Sequence, residues 1–312
     1  MDLKVSIIIP NYNHEFFLEK RLQTVFNQTY KNFEVIILDD CSTDKSVEIL
    51  KKYKTHPQVS HFIVNTTNSN SPFIQWKKGI ELAQNDLVWI AESDDFSDVT
   101  FLEKVLMPFH SNPGLKLVFS NSVAINNKNN TQKICDKKTK TGIYNNIDNL
   151  FLHNWFFKNS EFRILSASSC VFDKKNISPS ILDTITLHKY SGDKYFWASL
   201  LTKNSSFGYL EEPLNFQTFH SNTTRNANTI TANNIRNNEL LEIYNFCGFF
   251  NFKQHSFSCK NDIGFRLVMQ SLYRIVLFKK ITLKPFFKGI VLMQWNTTNF
   301  IKIYRLLKLK KN

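Results

Sequence analysis

The chain has 312 residues, 42% of them hydrophobic, which suffices for one large domain with an appendage or for two modest domains. Its net charge is +13, but 11 positive charges follow Asp262, where no acidic residue occurs, so the first 262 residues carry only +2. This distribution, without a nucleic-acid-binding motif, argues against a nucleic-acid-binding protein, and five cysteines without paired spacing or a CxxC argue against a disulfide scaffold or a zinc site.

The N-terminus has none of the features of a signal peptide. From Met1 the chain runs into a strand-like segment without a charged region, a long apolar stretch and a cleavage site, so we expect a cytoplasmic protein. The best candidate for a membrane span, residues 263–278, is interrupted by Arg266, Gln270, Ser271 and Arg274, and we expect no transmembrane helix.

Strand and helix patterns alternate through the first 115 residues. Continuous apolar, β-branched runs are typical of buried parallel strands, and they predict strands at 5–9, 33–38, 59–64 and 87–91. Apolar residues at three- and four-residue steps predict helices at about 17–26, from 45, at 75–83 and at 100–109. This order predicts a doubly wound α/β protein, a mixed, mainly parallel sheet with helices on both faces and its site at the carboxyl ends of the strands.

The alternation is weaker beyond residue 115. Further strands are predicted at 117–124, 166–172 and 207–214, and a helix at 193–201. Residues 126–141, rich in Asn and Lys, predict a mobile loop. From about 233 the pattern is helical to the end, with interruptions at Pro285 and around 296–299.

Three carboxylates follow the predicted strand 87–91 within four positions: Glu92, Asp94 and Asp95. Acidic side chains repel one another and desolvate badly, so a cluster at the end of an apolar strand is expected to hold a cation or a proton donor. Carboxylates without accompanying Cys or His suit Mg²⁺ or Mn²⁺. A solvated acidic loop is the alternative that these residues alone leave open.

Four short motifs occur in order along the chain. They are Pro10-Asn11-Tyr12-Asn13, Asp39-Asp40, Glu92-Ser93-Asp94-Asp95, and Gly192-Asp193 before a helix with Trp197. Together they resemble a family 2 glycosyltransferase of the GT-A fold, over residues 4–220. The resemblance implies an inverting, metal-dependent transferase that moves a sugar from a nucleotide-sugar donor, UDP-linked, to a hydroxyl of a glycan or lipid-linked glycan in cell-surface polysaccharide synthesis.

The resemblance also divides the chain and places the donor. It implies a catalytic domain at 1–225, with a nucleotide-sugar half at 1–115 and an acceptor half at 116–225, followed by a helical region at 226–312. The residues expected to bind the donor are Pro10, Tyr12, Asp40 and Asp94. Tyr12 offers a flat face on which a base can stack, although a core tyrosine covering the sheet edge is the alternative. The resemblance implies that Asp40 accepts a hydrogen bond from a ring N–H of uracil or a similar base.

Asp95 and His220 are the predicted ligands of a Mn²⁺ or Mg²⁺ cofactor that bridges the donor phosphates and withdraws charge from the leaving group. His220 matches a position where relatives often carry a histidine near the diphosphate, and a structural histidine is the alternative. This chain departs from the family pattern at Glu92, where Asp is common, and at Trp76, where relatives often carry Arg. The first departure puts Glu92 in doubt as a ligand and leaves Asp94 and Asp95 as the better candidates.

Asp193 is the predicted catalytic base. It would take the proton from an acceptor hydroxyl as that oxygen attacks the anomeric carbon from the face opposite the diphosphate, which inverts the configuration. The alternative is that Asp193 caps the helix that follows it, because Asp is favoured at that position. The two roles are compatible.

The basic C-terminal tail allows two interpretations. Residues 286–311 mix aromatic residues with cations, which suits a peripheral helix on the anionic inner face of the cell membrane, or a helical subdomain packed on the catalytic domain.

A noncatalytic nucleotide-sugar or glycan-binding protein is the alternative function. The joint presence of Asp40, Asp95 and Asp193 argues against it. A dinucleotide-dependent oxidoreductase is excluded, since the first strand-to-helix turn lacks GxGxxG.

Overall fold

The computed structural model describes residues 3–126, 131–135, 139–147, 164, 166–201, 205–220, 230–247 and 288. The chain forms two compact units, of which the first comprises Met1–His188 with Gly192–Thr223 and the second comprises Lys189–Ser191 with Thr224–Asn312. The roles predicted for 1–115, 116–225 and 226–312 stay predictions.

The first 115 residues alternate strand and helix, as the sequence predicts. The strands are β1 (Val5–Asn11), β2 (Phe33–Asp39), β3 (Val59–Val64), β4 (Leu87–Ile90) and the short β5 (Phe96–Ser97). The helices are α1 (Glu15–Phe26), α2 (Ser46–Lys51), α3 (Pro72–Leu82) and α4 (Phe101–Ser111).

The remaining described elements are mostly strands. They are β6 (Leu117–Asn126), β7 (Thr131–Ile134), β8 (Gly142–Ile147), β9 (Cys170–Asp173) and β10 (Ser205–Phe219). The helices are α5 (Pro179–Leu187), α6 (Gly192–Leu200) and, in the second unit, α7 (Ile230–Phe246).

Two predictions about this half are wrong in part. The segment 126–141 is not all loop, because β7 pairs antiparallel with β6, from Val123 opposite Ile134 to Asn126 opposite Thr131. Every residue of β7 is exposed, so this strand carries no apolar alternation by which the sequence would reveal it. The strand predicted at 166–172 begins with a 3-10 turn, Ala167–Ser169, before β9.

The described strands form one mixed sheet in the order β3-β2-β1-β4-β9-β6-β10-β5, with β7 beside β6 and β8 beside β10. The neighbours β3, β2, β1 and β4 are parallel, as are β6 and β10. Strand β9 runs antiparallel to both β4 and β6 and so joins the two parallel groups. This confirms the predicted mixed, mainly parallel sheet.

Helices cover both faces of the parallel strands. On one face, Val5, Ile7 and Ile9 pack in a buried cluster with Leu18 and Leu22 of α1 and with apolar residues of α4. On the other face α3 lies close to β1, because a Cβ at Gly79 would be 2.4 Å from Cγ2 of Ile8. Glycine permits this close approach.

The register of the parallel strands brings their carboxyl ends to one edge of the sheet. Asn11 at the end of β1 is opposite Asp39 at the end of β2, and the backbone N–H of Ala91, just after β4, donates to the carbonyl of Ile8. Three of the four sequence motifs therefore meet at this edge, as expected for a doubly wound sheet.

Strand β10 extends over 15 residues. Its end lies close to the turn after β4, because the backbone N–H of Thr218 donates to Asp95. Its pairing with β6 shifts register between Leu210 and Pro213 and again between Pro213 and Asn215. Beyond these bulges it stays in register to Phe219, the residue before His220.

In the second unit, α7 holds the short segment Lys189–Ser191. The carboxylate of Glu239 accepts hydrogen bonds from the backbone N–H groups of Lys189 at 2.6 Å and Tyr190 at 3.2 Å. Among the helices that the structure describes, none combines the length and apolar character needed to cross a bilayer. The basic tail beyond 262 lies outside the described residues apart from Lys288, and its membrane and packing alternatives stay predictions.

Candidate active site

The first acidic pair, at the end of β2, is held by protein donors. Asp39 accepts hydrogen bonds from the side-chain amide of Asn11 at 2.7 Å and from the backbone N–H and hydroxyl of Ser42. Asp39 therefore fixes the turn that joins the ends of β1 and β2.

Asp40 is only 4% exposed. Its carboxylate accepts from Asn65 at 2.7 Å, from Gln75 at 2.8 Å, and from both the backbone N–H and the hydroxyl of Ser69. Four donors match the roughly four lone-pair positions of a carboxylate. Its predicted role toward the base stays a prediction, and that role requires one of these donors to give way.

The other two residues predicted to bind the base and sugar differ in exposure. Tyr12 is 46% exposed, which agrees with a stacking face rather than with a core tyrosine. Pro10 is buried within β1, opposite Leu38. Their donor-binding roles stay predictions.

Asp95 in the turn after β4 is braced by the protein. One carboxylate oxygen accepts from the hydroxyl of Ser166 and the other from the backbone N–H of Thr218 in β10 at 3.2 Å. Burial, together with the charge of Asp94, raises the pKa of Asp95. Each oxygen thus accepts one bond, which leaves further lone pairs, and the role of Asp95 as a metal ligand stays a prediction.

Glu92 begins the same turn and is held at two points. Its side chain accepts a hydrogen bond from the indole N–H of Trp76 at 2.7 Å, and its backbone carbonyl accepts from Nε of Arg21 at 2.9 Å. Burial, and then the charge of Asp94, raises the pKa of Glu92 to about 8. The doubt that the sequence raised about Glu92 as a ligand stays a prediction.

Arg21 is a fully buried cation beneath the acidic turn. Its guanidinium lies over the Trp89 ring, 5.6 Å from the centroid, and Nη1 and Nη2 have no hydrogen-bond partner among the described residues. Burial lowers its pKa to about 10, although the nearby acids oppose this shift. The sequence analysis missed Arg21, but its position beside Leu18, Leu22 and Val25 on the apolar face of α1 was a signal.

Asp94 faces two histidines. Nε2 of His220 lies 3.1 Å from Oδ2 of Asp94, and the rings of His220 and His14 meet edge to face at 5.5 Å. One potential ligand atom from each of the three residues lies within 4.8 Å of the others. Burial alone would raise the pKa of Asp94, but the hydrogen bond from His220, and the charge of either histidine when it is protonated, lower it.

This group can hold a divalent cation. One carboxylate oxygen and two imidazole nitrogens are a common donor set for such ions. Burial lowers the pKa of His14, which favours the neutral imidazole that a metal requires. The structure thus groups the predicted residues Asp94 and His220 with His14, which the sequence analysis missed although it directly follows Pro10-Asn11-Tyr12-Asn13 at the site edge.

Asp193 lies in the first turn of α6, and its Oδ1 is buried without a hydrogen-bond partner in the described part of the chain. The alternative role, a cap of this helix, stays a prediction. The helix is fixed against α3, because a Cβ at Gly192 would lie 2.7 Å from the Phe73 ring and because Trp197 packs on Trp76 at 6.2 Å. Asp193 therefore presents an unoccupied acceptor from a well-packed helix.

The mixed sheet, with acids and imidazoles at its carboxyl edge, agrees with the resemblance of the four motifs to a family 2 glycosyltransferase. Residues 6–174 match the family model described as Glycosyl transferase family 2. Because this match covers more than half of the chain, the protein belongs to that family.

Two relatives are similar to about a third of the chain. An uncharacterised glycosyltransferase of Haemophilus influenzae is 38% identical over 102 residues, 33% of this chain and 40% of the relative. The poly(ribitol-phosphate) beta-N-acetylglucosaminyltransferase TarS of Staphylococcus aureus is 34% identical over 98 residues, 30% of this chain and 17% of TarS. The aligned part thus spans less than half the length of either relative.

A solved structure extends the likeness of the fold. The crystal structure of S. aureus TarS 1-349 in complex with UDP-GlcNAc superposes with a TM-score of 0.62 at 14% identity, and the alignment covers 94% of this chain and 91% of the crystallised TarS chain. At this identity the likeness concerns the fold.

Proposed function

We propose that the protein is an inverting, metal-dependent glycosyltransferase that moves a sugar from a UDP-linked donor to a hydroxyl of a glycan or lipid-linked glycan in cell-surface polysaccharide synthesis. The observation that carries this proposal is the group of Asp94, His14 and His220 at the sheet edge, in the same unit as the available carboxylate of Asp193. The names of the relatives support it, since TarS acts on poly(ribitol-phosphate) and its crystal structure contains UDP-GlcNAc.

The nucleotide would lie at the ends of β1 and β2. The exposed ring of Tyr12 supplies a face for the base. Asp40 would accept the ring N–H of the base after Ser69, the donor of both a backbone and a hydroxyl bond, moves away. Donor binding is therefore expected to rearrange residues 65–71.

Asp94, His14 and His220 would hold Mn²⁺ or Mg²⁺ beside the donor diphosphate. In this proposal Asp94 takes the place predicted for Asp95, whose two oxygens are engaged by Ser166 and Thr218. When bound, the cation would neutralise charge on the leaving nucleoside diphosphate. Glu92 would support the turn through its hydrogen bond from the Trp76 indole.

Asp193 would act as the general base. Its unpartnered Oδ1 would accept the proton of the acceptor hydroxyl while the hydroxyl oxygen bonds to the anomeric carbon and the bond from that carbon to the diphosphate breaks. Attack from the face opposite the leaving group inverts the anomeric configuration. One carboxylate suffices for this displacement.

The proposal is tested by calorimetry of a panel of nucleotide sugars with and without Mn²⁺, combined with an assay of nucleoside diphosphate release. We expect the wild type to bind one UDP-sugar only with the cation. Asp193→Asn should keep that binding and lose about two to four orders of magnitude in turnover. Asp86→Asn, which alters an exposed acid paired with Lys175, is the control and should behave as wild type.

Two outcomes would contradict the proposal. Donor binding that is indifferent to the cation would remove the metal site from the mechanism. Tight donor binding without any product, from the wild type with a range of glycan acceptors, would favour the noncatalytic nucleotide-sugar-binding alternative.

A further inference from the structure

We propose that His14 is a third protein ligand of the cation and that it makes the site select Mn²⁺ and Co²⁺ over Mg²⁺. This inference rests on the proposed function, because it concerns the cation of the same site. It adds a ligand that neither the acidic motif nor the predicted pair of Asp95 and His220 contains.

The first argument is the position of the His14 ring. Its Nδ1 is 2.8 Å from the hydroxyl of Ser93, which leaves Nε2 for a ligand. The potential ligand atoms of His14, Asp94 and His220 lie within 4.8 Å of one another. Metal–nitrogen bonds of about 2.0–2.1 Å place atoms on opposite sides of one ion about 4 Å apart, so small side-chain adjustments suffice to close the site.

The second argument is the support behind the ring. A ligating histidine commonly has its other nitrogen held by a hydrogen bond, which fixes the tautomer and the ring orientation. Here the partner is Ser93, the neighbour of Asp94 in the same turn, so ring and carboxylate are positioned by one short segment. The backbone of His14 is held as well, because its N–H donates to the hydroxyl of Ser46 at 3.2 Å.

The backbone after His14 is also fixed. The N–H of Glu15 donates to Asp44 at 2.9 Å, and the Glu15 carboxylate accepts in return from the N–H of Lys45. Asp44 also accepts from the N–H of Ser46. These reciprocal bonds join the starts of α1 and α2, so the His14 ring projects from a braced position.

The third argument is the chemistry of the donor set. Mg²⁺ prefers oxygen ligands in near-ideal octahedral geometry and loses its water reluctantly. Two imidazole nitrogens with one carboxylate oxygen favour first-row transition ions, and affinity for such sites rises from Mn²⁺ to Co²⁺. Without His14 the site would hold one nitrogen and one oxygen, and this preference would weaken.

Calorimetric titration of the full chain with MnCl₂, CoCl₂ and MgCl₂ tests the inference, using wild type, His14→Ala and His110→Ala. His110 is an exposed histidine at the end of α4 and serves as the matched control. We expect His14→Ala to lower the affinity for Mn²⁺ and Co²⁺ by at least about 10- to 100-fold, since losing only a group that orients a ligand already costs that much. The affinity for Mg²⁺ should change by less, and His110→Ala should change neither.

A second measurement does not depend on the folding of a variant. Pulsed electron paramagnetic resonance of the Mn²⁺-loaded wild type should detect coupling to nitrogens of two imidazoles. Coupling to one imidazole, or an unchanged ratio of Mn²⁺ to Mg²⁺ affinity in His14→Ala, would overturn the inference.

The experiment also separates this inference from the proposed function. If Asp94→Asn abolishes Mn²⁺-dependent binding of a UDP-sugar while His14→Ala keeps the ion preference, the proposed function stands and the role of His14 falls. If the wild type binds none of the three ions, either alone or with the donor, both fall.

Discussion

The acidic pairs at the ends of β2 and β4 occupy equivalent places but meet different partners. Each pair follows a buried parallel strand at the same edge of the sheet. At β2, both carboxylates are filled by protein donors from the surrounding loops. At β4 the second acid, Asp95, accepts one protein hydrogen bond at each oxygen, whereas Asp94 faces two imidazoles.

The difference teaches that an acidic motif does not by itself identify a ligand. A buried carboxylate must be satisfied, and whether the protein or a guest satisfies it depends on donors from distant parts of the chain. Asp95 is reached by Ser166 and by Thr218, which are 71 and 123 residues away. Adjacent acids in one turn therefore serve different purposes.

The difference between Asp94 and Asp95 is tested most directly by neutralising each of them separately. Asp94→Asn should lower turnover by three or more orders of magnitude, because stabilisation of the leaving group by a cation is worth several kcal/mol. Asp95→Asn should mainly lower the free energy of unfolding, by about 1–3 kcal/mol, since it disturbs buried hydrogen bonds. Steady-state kinetics and urea denaturation of both variants check this, and equal kinetic losses would remove the distinction.

Glu92→Gln tests the acidic turn through the pH dependence of the unfolding free energy. The pKa of Glu92 is raised from 4.5 to about 8 in the folded protein, so the folded state holds this proton more tightly than the unfolded state. Its stabilising contribution is complete below about pH 4.5 and is lost as pH rises through about 8, with a slope of up to about 1.4 kcal/mol per pH unit.

Glutamine keeps an oxygen for the Trp76 indole but cannot ionise. The unfolding free energy of Glu92→Gln should therefore fall less between pH 5 and 8 than that of the wild type, measured by urea denaturation at several pH values. Parallel curves for the two proteins would show that Glu92 is already ionised in the fold.

Trp76→Phe tests the support of the turn. Phenylalanine keeps an aromatic ring against Phe196 and Trp197 but removes the hydrogen bond to Glu92. We expect a loss of about 1–2 kcal/mol in unfolding free energy from the unpaired carboxyl. In the double variant with Glu92→Leu this loss should shrink, and an additive double-mutant cycle would argue against a coupling between the two side chains.

Ser69→Ala is the mildest test and addresses the pair at β2. It removes one of the donors that fill Asp40, so it should cost about 0.5–1.5 kcal/mol of folding free energy. If Asp40 must be freed to bind the base, the same variant should bind UDP more tightly than the wild type. Weaker UDP binding would instead assign Ser69 to the nucleotide site.

The sequence predicted the parallel part of the fold well, for a physical reason. Strands buried on both faces must be continuous apolar runs, so β1, β2 and β4 were recognisable from their own residues. The fully exposed β7 carried no such signal. The sequence predicted where the site lies but not which side chains meet there. Folding alone brings Arg21 to Glu92, 71 residues away, and His14 to Ser93, 79 residues away.

The bulges in β10 have a consequence for His220. Thr218 meets Asp95 and His220 meets Asp94, both from the end of a strand whose register shifts twice around Pro213. Successive residues of a strand point to opposite faces and advance about 3.3 Å. Removing one residue between Pro213 and Phe219 would turn the histidine away from the turn. The number of residues after the bulges, more than their identity, determines whether this imidazole reaches Asp94.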